Sequence, residues 1–170
     1  TEIYQLIVEE GKNHNLSHCG SHAMDTMRME SGFLHWGHDI SPEENQYEAG
    51  LNFAISYKKE TNFIGKESLL KIKNQKQNRR FIMLSLKDSK PGTPLLLHEE
   101  PIYLGDKIIG RTTSGNHSFN YKKNLSFGYI SSVYSNEELS KMDLNIEVAK
   151  QRFSALVEIT PLKDKQARFL

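Results

Sequence analysis

The chain reads as an α+β protein, a helical first part followed by an all-β second part. Two observations predict this. Before residue 75, apolar residues recur mainly at helical spacing, whereas after residue 80 they alternate in short runs bounded by turn residues. Between the two lies a polar, basic connection, Gln75 to Arg80, which is the best domain boundary in the chain. The expected division is therefore 1–75 and 76–170. At least six short strands in the second part suggest a small barrel or a sandwich.

Ile3, Leu6, Ile7 and Glu10 share one helical face, and Gly11 is a C-cap candidate, so the spacing predicts a short helix over 2–10 followed by a polar turn, Lys12 to Ser17. Ser21 can cap a second helix, 22–31, that ends at Gly32. On it Ala23, Met27 and Ser31 form one stripe. Met24, Arg28 and Gly32 form the next, which puts Arg28 beside the buried face. Phe33 to Tyr47 has no sustained period and contains Pro42, and it reads as an ordered loop. Leu51, Phe53, Ile55 and Tyr57 alternate with polar or small residues, which is strand periodicity. A third helix is expected from Lys66 to Lys73.

Beyond the connection, Phe81 to Leu86 predicts a strand with Ile82, Leu84 and Leu86 on one face. Pro91 to Pro94 predicts a turn, and 101–110 a hairpin around Gly105-Asp106. Thr112 to Asn116 reads as a turn, Leu125 to Ile130 as a strand and Asn136 to Glu138 as a loop. Leu144, Ile146 and Val148, then Ala155, Val157 and Ile159, alternate around a turn at Lys150 to Arg152. Lys163 to Arg168 reads as a frayed polar tail.

Composition narrows the function classes. At 170 residues the chain is one domain or two small ones. A net charge of +1 gives no electrostatic case for nucleic acid. No apolar run is long enough for a membrane helix, and the acidic N-terminus lacks the basic region of a signal peptide. The single cysteine, Cys19, excludes an internal disulfide and suits a reducing compartment, so a cytoplasmic location is expected. The chain does not begin with Met and opens directly in a helical pattern, from which a fragment of a longer protein is expected.

Several clusters could carry chemistry. His14, His18, Cys19 and His22 are zinc-ligand types, but their spacing matches no closed zinc module, and a polar turn is the favoured reading. His35 and His38 could act as an acid–base pair, and a hydrogen-bonding loop is favoured over that. Thr112-Thr113-Ser114-Gly115 could hold an anion through backbone N–H groups, or simply satisfy its own backbone. No nucleophile elbow and no phosphate loop is present. The densest stretch is 24–55, with the only Trp, Trp36, together with Asp25, Arg28, Glu30, Glu48 and Phe53. A guanidinium among carboxylates is either a buried structural network or a grip on a ligand. Trp36 and Phe53 offer flat faces for stacking.

At these residues the sequence resembles the C-terminal half of the glycine-cleavage T-protein (aminomethyltransferase) family. Five ordered blocks carry the resemblance: Arg28 to Ile40, Glu48 to Phe53, Asn62 to Leu69, Ile109 to Gly115 and Lys122 to Ile130. Trp36-Gly37 and Phe63-Ile64-Gly65-Lys66 look closer to the folate-dependent tail of dimethylglycine and sarcosine dehydrogenases. T-proteins usually carry Tyr-Gly at the first place and a ligand-contacting Arg where Met24 stands here, so no such contact is carried onto Met24.

The resemblance implies the end of an α/β folate-binding region (1–75) and a C-terminal antiparallel β-barrel (76–170). It implies a tetrahydrofolate-dependent one-carbon transfer, with the assisting carboxylate and most of the pterin pocket N-terminal to this chain. In the dehydrogenase branch an upstream FAD domain, not this chain, would oxidise an N-methyl amine. Partners implied are the upstream domain or a partner subunit. Phe53 falls where the family places an aromatic residue against folate. Trp36 would be a second wall, and Arg28 with Glu48 a salt-bridged support. The alternatives are a scaffolding module that touches no ligand, and a methyl transfer from another donor on the same fold.

Overall fold

The computed structural model describes residues 1–131 and 134–158. Ile159 and the expected polar tail lie outside them. Three helices come first: α1 (Glu2–Gly11), α2 (Ser21–Glu30) and α3 (Lys66–Lys73). Six antiparallel strands follow: β1 (Arg79–Leu86), β2 (Pro101–Leu104), β3 (Lys107–Ser118), β4 (Lys123–Ser131), β5 (Leu144–Val148) and β6 (Gln151–Glu158). A short helix α4 (Asn136–Lys141) sits between β4 and β5. The strands close into a barrel in the order β1-β4-β3-β2-β5-β6, so no edge is left unpaired. Of the two all-β architectures compatible with the sequence, the barrel is the one formed.

The barrel follows from period-two patterning. Ile82, Leu84 and Leu86 of β1 meet Ile102, Ile130, Leu144, Ile146 and Ala155 in the interior. The alternate β1 residues, Phe81 and Met83, join Leu125 and Phe127 in a second cluster with Met29 of α2. One helix, α2, thus packs on the outside of β3 and β4 and reaches β1 through Met29. With its outer face partly covered, β1 is apolar from Phe81 to Leu86 except at Ser85. The β5–β6 hairpin turns at Ala149 and Lys150, both with positive φ (49° and 66°), which matches the twist of its strands.

Four local expectations are corrected. Residues 51–57 form no strand. Asn52–Ala54 is a single 3₁₀ turn, because no neighbouring strand offers this segment a ladder. The hydroxyl-rich run Thr112 to Asn116 is not a turn but part of β3, with a register shift between Thr112 and Ser114. Asn136 to Glu138 opens α4 rather than forming a loop, because Ser135 and Glu138 make a reciprocal capping box. Ser21 is the first residue of α2, not its cap; Gly20 takes the cap position with no side-chain bond.

The buried face of α2 also differs from the expected stripe. Met24 and Met27 are exposed, whereas Met29 and Glu30 are buried. The helix turns its polar side to β3: the Thr26 hydroxyl donates to the His117 carbonyl at 3.2 Å. Among the described residues no helix is long and apolar enough to cross a membrane.

Candidate functional site

Between the loop 31–53 and the flank of the barrel lies a cleft of about 560 Å³. Phe33, Leu34, Ala49, Gly50, Leu51 and Phe53 line it from the loop side. Phe81, Met83, Phe127, Leu139 and Val157 line it from the barrel side. Arg80 and Glu158 are its charged residues. The floor is mostly apolar because it uses the outer face of β1, which α2 leaves partly uncovered. Phe53 stands at this cleft with 82% of its surface exposed.

Trp36 is 66% exposed and is not part of the cleft lining. It sits at the turn of the 33–40 loop, where the Gly37 N–H donates to the Ile40 carbonyl at 2.8 Å. His35 and His38 lie face to tilted face on that loop, ring centres 4.6 Å apart, in line with the loop reading.

Arg28 and Glu48 do not pair, which corrects the expected salt-bridged support. Each belongs to its own network. Arg28 Nε donates to Asp25 at 2.8 Å and Nη1 to Asp39 at 2.6 Å. Its Nη2 donates to the Ser114 hydroxyl at 2.9 Å, and Nη1 reaches the Phe33 carbonyl at 3.3 Å. Asp39 is fully enclosed. Its Oδ2 accepts from Arg28 and from the His35 N–H at 2.8 Å, while its Oδ1 accepts from Thr113 at 2.6 Å and Ser114 at 2.7 Å.

Glu48 faces the other way. It lies 3.5 Å from Arg79 Nε and accepts from the Asn45 N–H at 3.2 Å. Arg79 also pairs with Glu44 at 2.9 Å. Glu48, Arg79, Lys76 and Tyr47 line an adjoining groove of about 360 Å³ that shares Gly50, Arg80 and Phe81 with the cleft. Burial pushes the Tyr129 hydroxyl well above its ordinary pKa, with the nearby Glu44 carboxylate adding to the shift, so it stays a neutral phenol. Burial and a hydrogen bond with Tyr57 push the Tyr47 hydroxyl up to about 12.

Thus the structure brings Phe53 to a cleft, puts Trp36 on an adjoining loop, and places Arg28 and Glu48 in two loop-anchoring ion networks. Sequence reasoning missed Asp39 and Arg79 as the true partners. Asp39 lies within the 24–55 stretch, and Thr112 to Gly115 carries the hydroxyls that either hold an anion or satisfy their own backbone. The anion is this chain's own Asp39, held by side-chain hydroxyls rather than backbone N–H groups. Among the described residues, no three His, Cys, Asp or Glu side chains gather to hold a metal. His18 instead lies 3.4 Å from the Tyr4 hydroxyl.

Residues 1–59 match the model of the GCVT N-terminal domain, and residues 79–164 that of the glycine cleavage T-protein C-terminal barrel domain. A 4-methylaminobutanoate oxidase (formaldehyde-forming) from Paenarthrobacter nicotinovorans is 32% identical over 99% of this chain and 20% of its own length. An aminomethyltransferase from Symbiobacterium thermophilum is 33% identical over 78% of this chain and 34% of its own. Human mitochondrial dimethylglycine dehydrogenase is 32% identical over 86% of this chain and 16% of its own. The chain therefore spans between 16% and 34% of the length of these relatives. The crystal structure of the glycine cleavage system aminomethyltransferase T from Bartonella henselae superposes with a TM-score of 0.81 at 18% identity, covering 95% of this chain and 44% of that one.

Proposed function

Because the chain belongs to the glycine-cleavage T-protein superfamily, we propose that it supplies one wall of a tetrahydrofolate site in a one-carbon transfer enzyme. The observation that carries this reading is Phe53, a large aromatic left 82% exposed at the mouth of an apolar cleft. A flat heterocycle fits such a place, since it can stack on the ring and displace water from the apolar floor. Trp36 extends the wall from the neighbouring loop. Arg28 and Glu48 hold the two loops through their separate ion networks. Tetrahydrofolate, when bound, would supply the nitrogen nucleophile that takes up a one-carbon unit. The residues of this chain orient the ring system and exclude water.

The carboxylate that assists the transfer, and most of the pterin pocket, belong to the region preceding 1–75, and the division after residue 75 separates that folate-binding part from the barrel. In a dehydrogenase-type protein, FAD and the N-methyl amine would occupy another domain. This chain alone is then inactive. The relatives include both an oxidase and aminomethyltransferases at nearly equal identity, and this reading holds for either one-carbon donor.

The test is tetrahydrofolate titration of the intact protein and of its Phe53→Ala and Trp36→Ala variants. Loss of a stacked aromatic worth about 1 kcal/mol weakens affinity roughly fivefold. A folded double variant with unchanged affinity would instead favour a scaffolding module. The outward apolar residues of α1 give that second reading its support.

A further inference from the structure

The two largest apolar side chains of the 33–40 loop do little to hold it. Phe33 and Trp36 are both mostly exposed, and its regular structure is one bridge between Trp36 and Ile40. Backbone turn bonds among His35, Gly37, Asp39 and Ile40 shape it, and one enclosed carboxylate, Asp39, ties it to the barrel. We propose that Asp39 is a positioning residue through which the barrel sets the place of Trp36; the inference rests on the folate-wall reading above.

Asp39 gathers three parts of the chain at one point. Arg28 comes from α2, the His35 N–H from the loop itself, and Thr113 and Ser114 from β3. Arg28 also bonds the Phe33 carbonyl, so one guanidinium holds both ends of the segment that carries Trp36. The desolvation cost of burying the ion pair is offset because both carboxylate oxygens are doubly hydrogen-bonded.

The β3 register shift makes this possible. In a regular strand, consecutive side chains point to opposite faces, so Thr113 and Ser114 could not both reach Asp39 Oδ1. The irregularity between Thr112 and Ser114 puts both hydroxyls on the same oxygen, at 2.6 and 2.7 Å. A bulge in the barrel wall is thereby converted into a socket for the loop. The role assigned here is to hold Trp36 still, with no contact to ligand.

The experiment uses the intact protein and compares Asp39→Asn, Thr113→Val and Thr113→Ser. Three readouts are taken: amide hydrogen exchange over 34–40, tetrahydrofolate affinity and the emission of Trp36. Emission of Trp36 is isolated as the difference from the same protein carrying Trp36→Phe. Asp39→Asn and Thr113→Val should speed exchange in 34–40 at least about tenfold, leave the β1 and β4 amides as they were, and shift the Trp36 emission. Both should weaken tetrahydrofolate binding several-fold. Thr113→Ser keeps the hydroxyl and should restore all three.

Unchanged loop exchange in folded Asp39→Asn or Thr113→Val overturns the anchor. Faster exchange with unchanged affinity overturns the positioning role. If Asp39→Asn does not fold, Thr113→Val against Thr113→Ser decides alone. If the wild-type protein binds no tetrahydrofolate, the folate-wall reading fails, whereas loop exchange and Trp36 emission still judge the anchor.

Discussion

The barrel and the segment before it solve the same problem in opposite ways. In the barrel, apolar side chains meet one another: Leu84, Ile102 and Ile146 are completely buried. In residues 1–75 the large apolar side chains mostly face outward, with Ile3 75% and Leu6 62% exposed on α1. What that segment buries against the barrel is Met29 and Ala49 together with three carboxylates, those of Glu30, Asp39 and Glu48. The difference teaches that the barrel is held by the hydrophobic effect, which is non-directional. The preceding segment is attached by directional bonds, and such bonds place loops in defined positions.

The largest expected effect tests that contrast directly. Leu84→Ala opens a void inside the closed barrel and should lower stability by about 2–5 kcal/mol. Ile7→Ala on the outward face of α1 should change it by less than about 0.5 kcal/mol. Urea unfolding of the 170-residue chain measures both. Equal losses would break the comparison, because α1 would then have to pack as tightly as the barrel interior.

A smaller effect sharpens the polar side of the contrast. Glu30 of α2 is buried, and among the described residues no cation pairs with it. It accepts from the Ser118 hydroxyl at 2.6 Å and from the Asn120 side chain at 2.6 Å, tying the helix to the β3–β4 hairpin. Glu30→Ala leaves those donors unpaired and should cost about 1–3 kcal/mol. Glu30→Gln keeps an acceptor for Ser118 and should recover part of the loss. If Glu30→Ala is neutral by thermal unfolding, the attachment rests on Met29 rather than on the carboxylates.

Legibility in the sequence divides along the same line. Helices 2–10 and 66–73 and the barrel strands, apart from the second half of β3, are readable because burial imposes a period, and Ile82, Leu84 and Leu86 fall on the expected interior face. The 51–57 alternation misled, because period two does not make a strand unless a neighbour supplies a ladder. The α2 stripe misled because that helix turns Thr26 and Glu30 to the barrel and leaves Met24 and Met27 out. At the site, the density of 24–55 was visible, but not that Arg28 would choose Asp39 and Glu48 would choose Arg79. Ion-pair choice depends on which segments meet in space, and no local pattern encodes it. Nor could a strand pattern show that β3 shifts register at Thr113.

The smallest effect concerns α4, an element of the barrel half that starts as the first half does, on polar bonds. Its Leu139 is packed in the barrel core and also lines the cleft. Its N-terminus is a capping box: the Glu138 N–H donates to the Ser135 hydroxyl at 3.2 Å, and the Ser135 N–H donates to Glu138 Oε2 at 2.6 Å. The bond from the Ser135 N–H foremost, and the Ser135 hydroxyl next, hold the Glu138 carboxyl below its ordinary pKa. A carboxyl depressed in the folded state contributes stability that is present above its unfolded pKa and lost as pH falls through the folded one. Acid should therefore loosen the start of α4. Exchange at the Ser135 amide should rise as pH drops below the carboxylate range, once corrected for intrinsic exchange. Glu138→Gln should flatten that dependence, because an amide cannot titrate. Ser135→Ala should cost about 1 kcal/mol at neutral pH. A Glu138→Gln variant with the wild-type acid response would place the sensitivity at another carboxyl. The start of α4 would then not respond to acid through its own cap, and the likeness between α4 and the first half would fall.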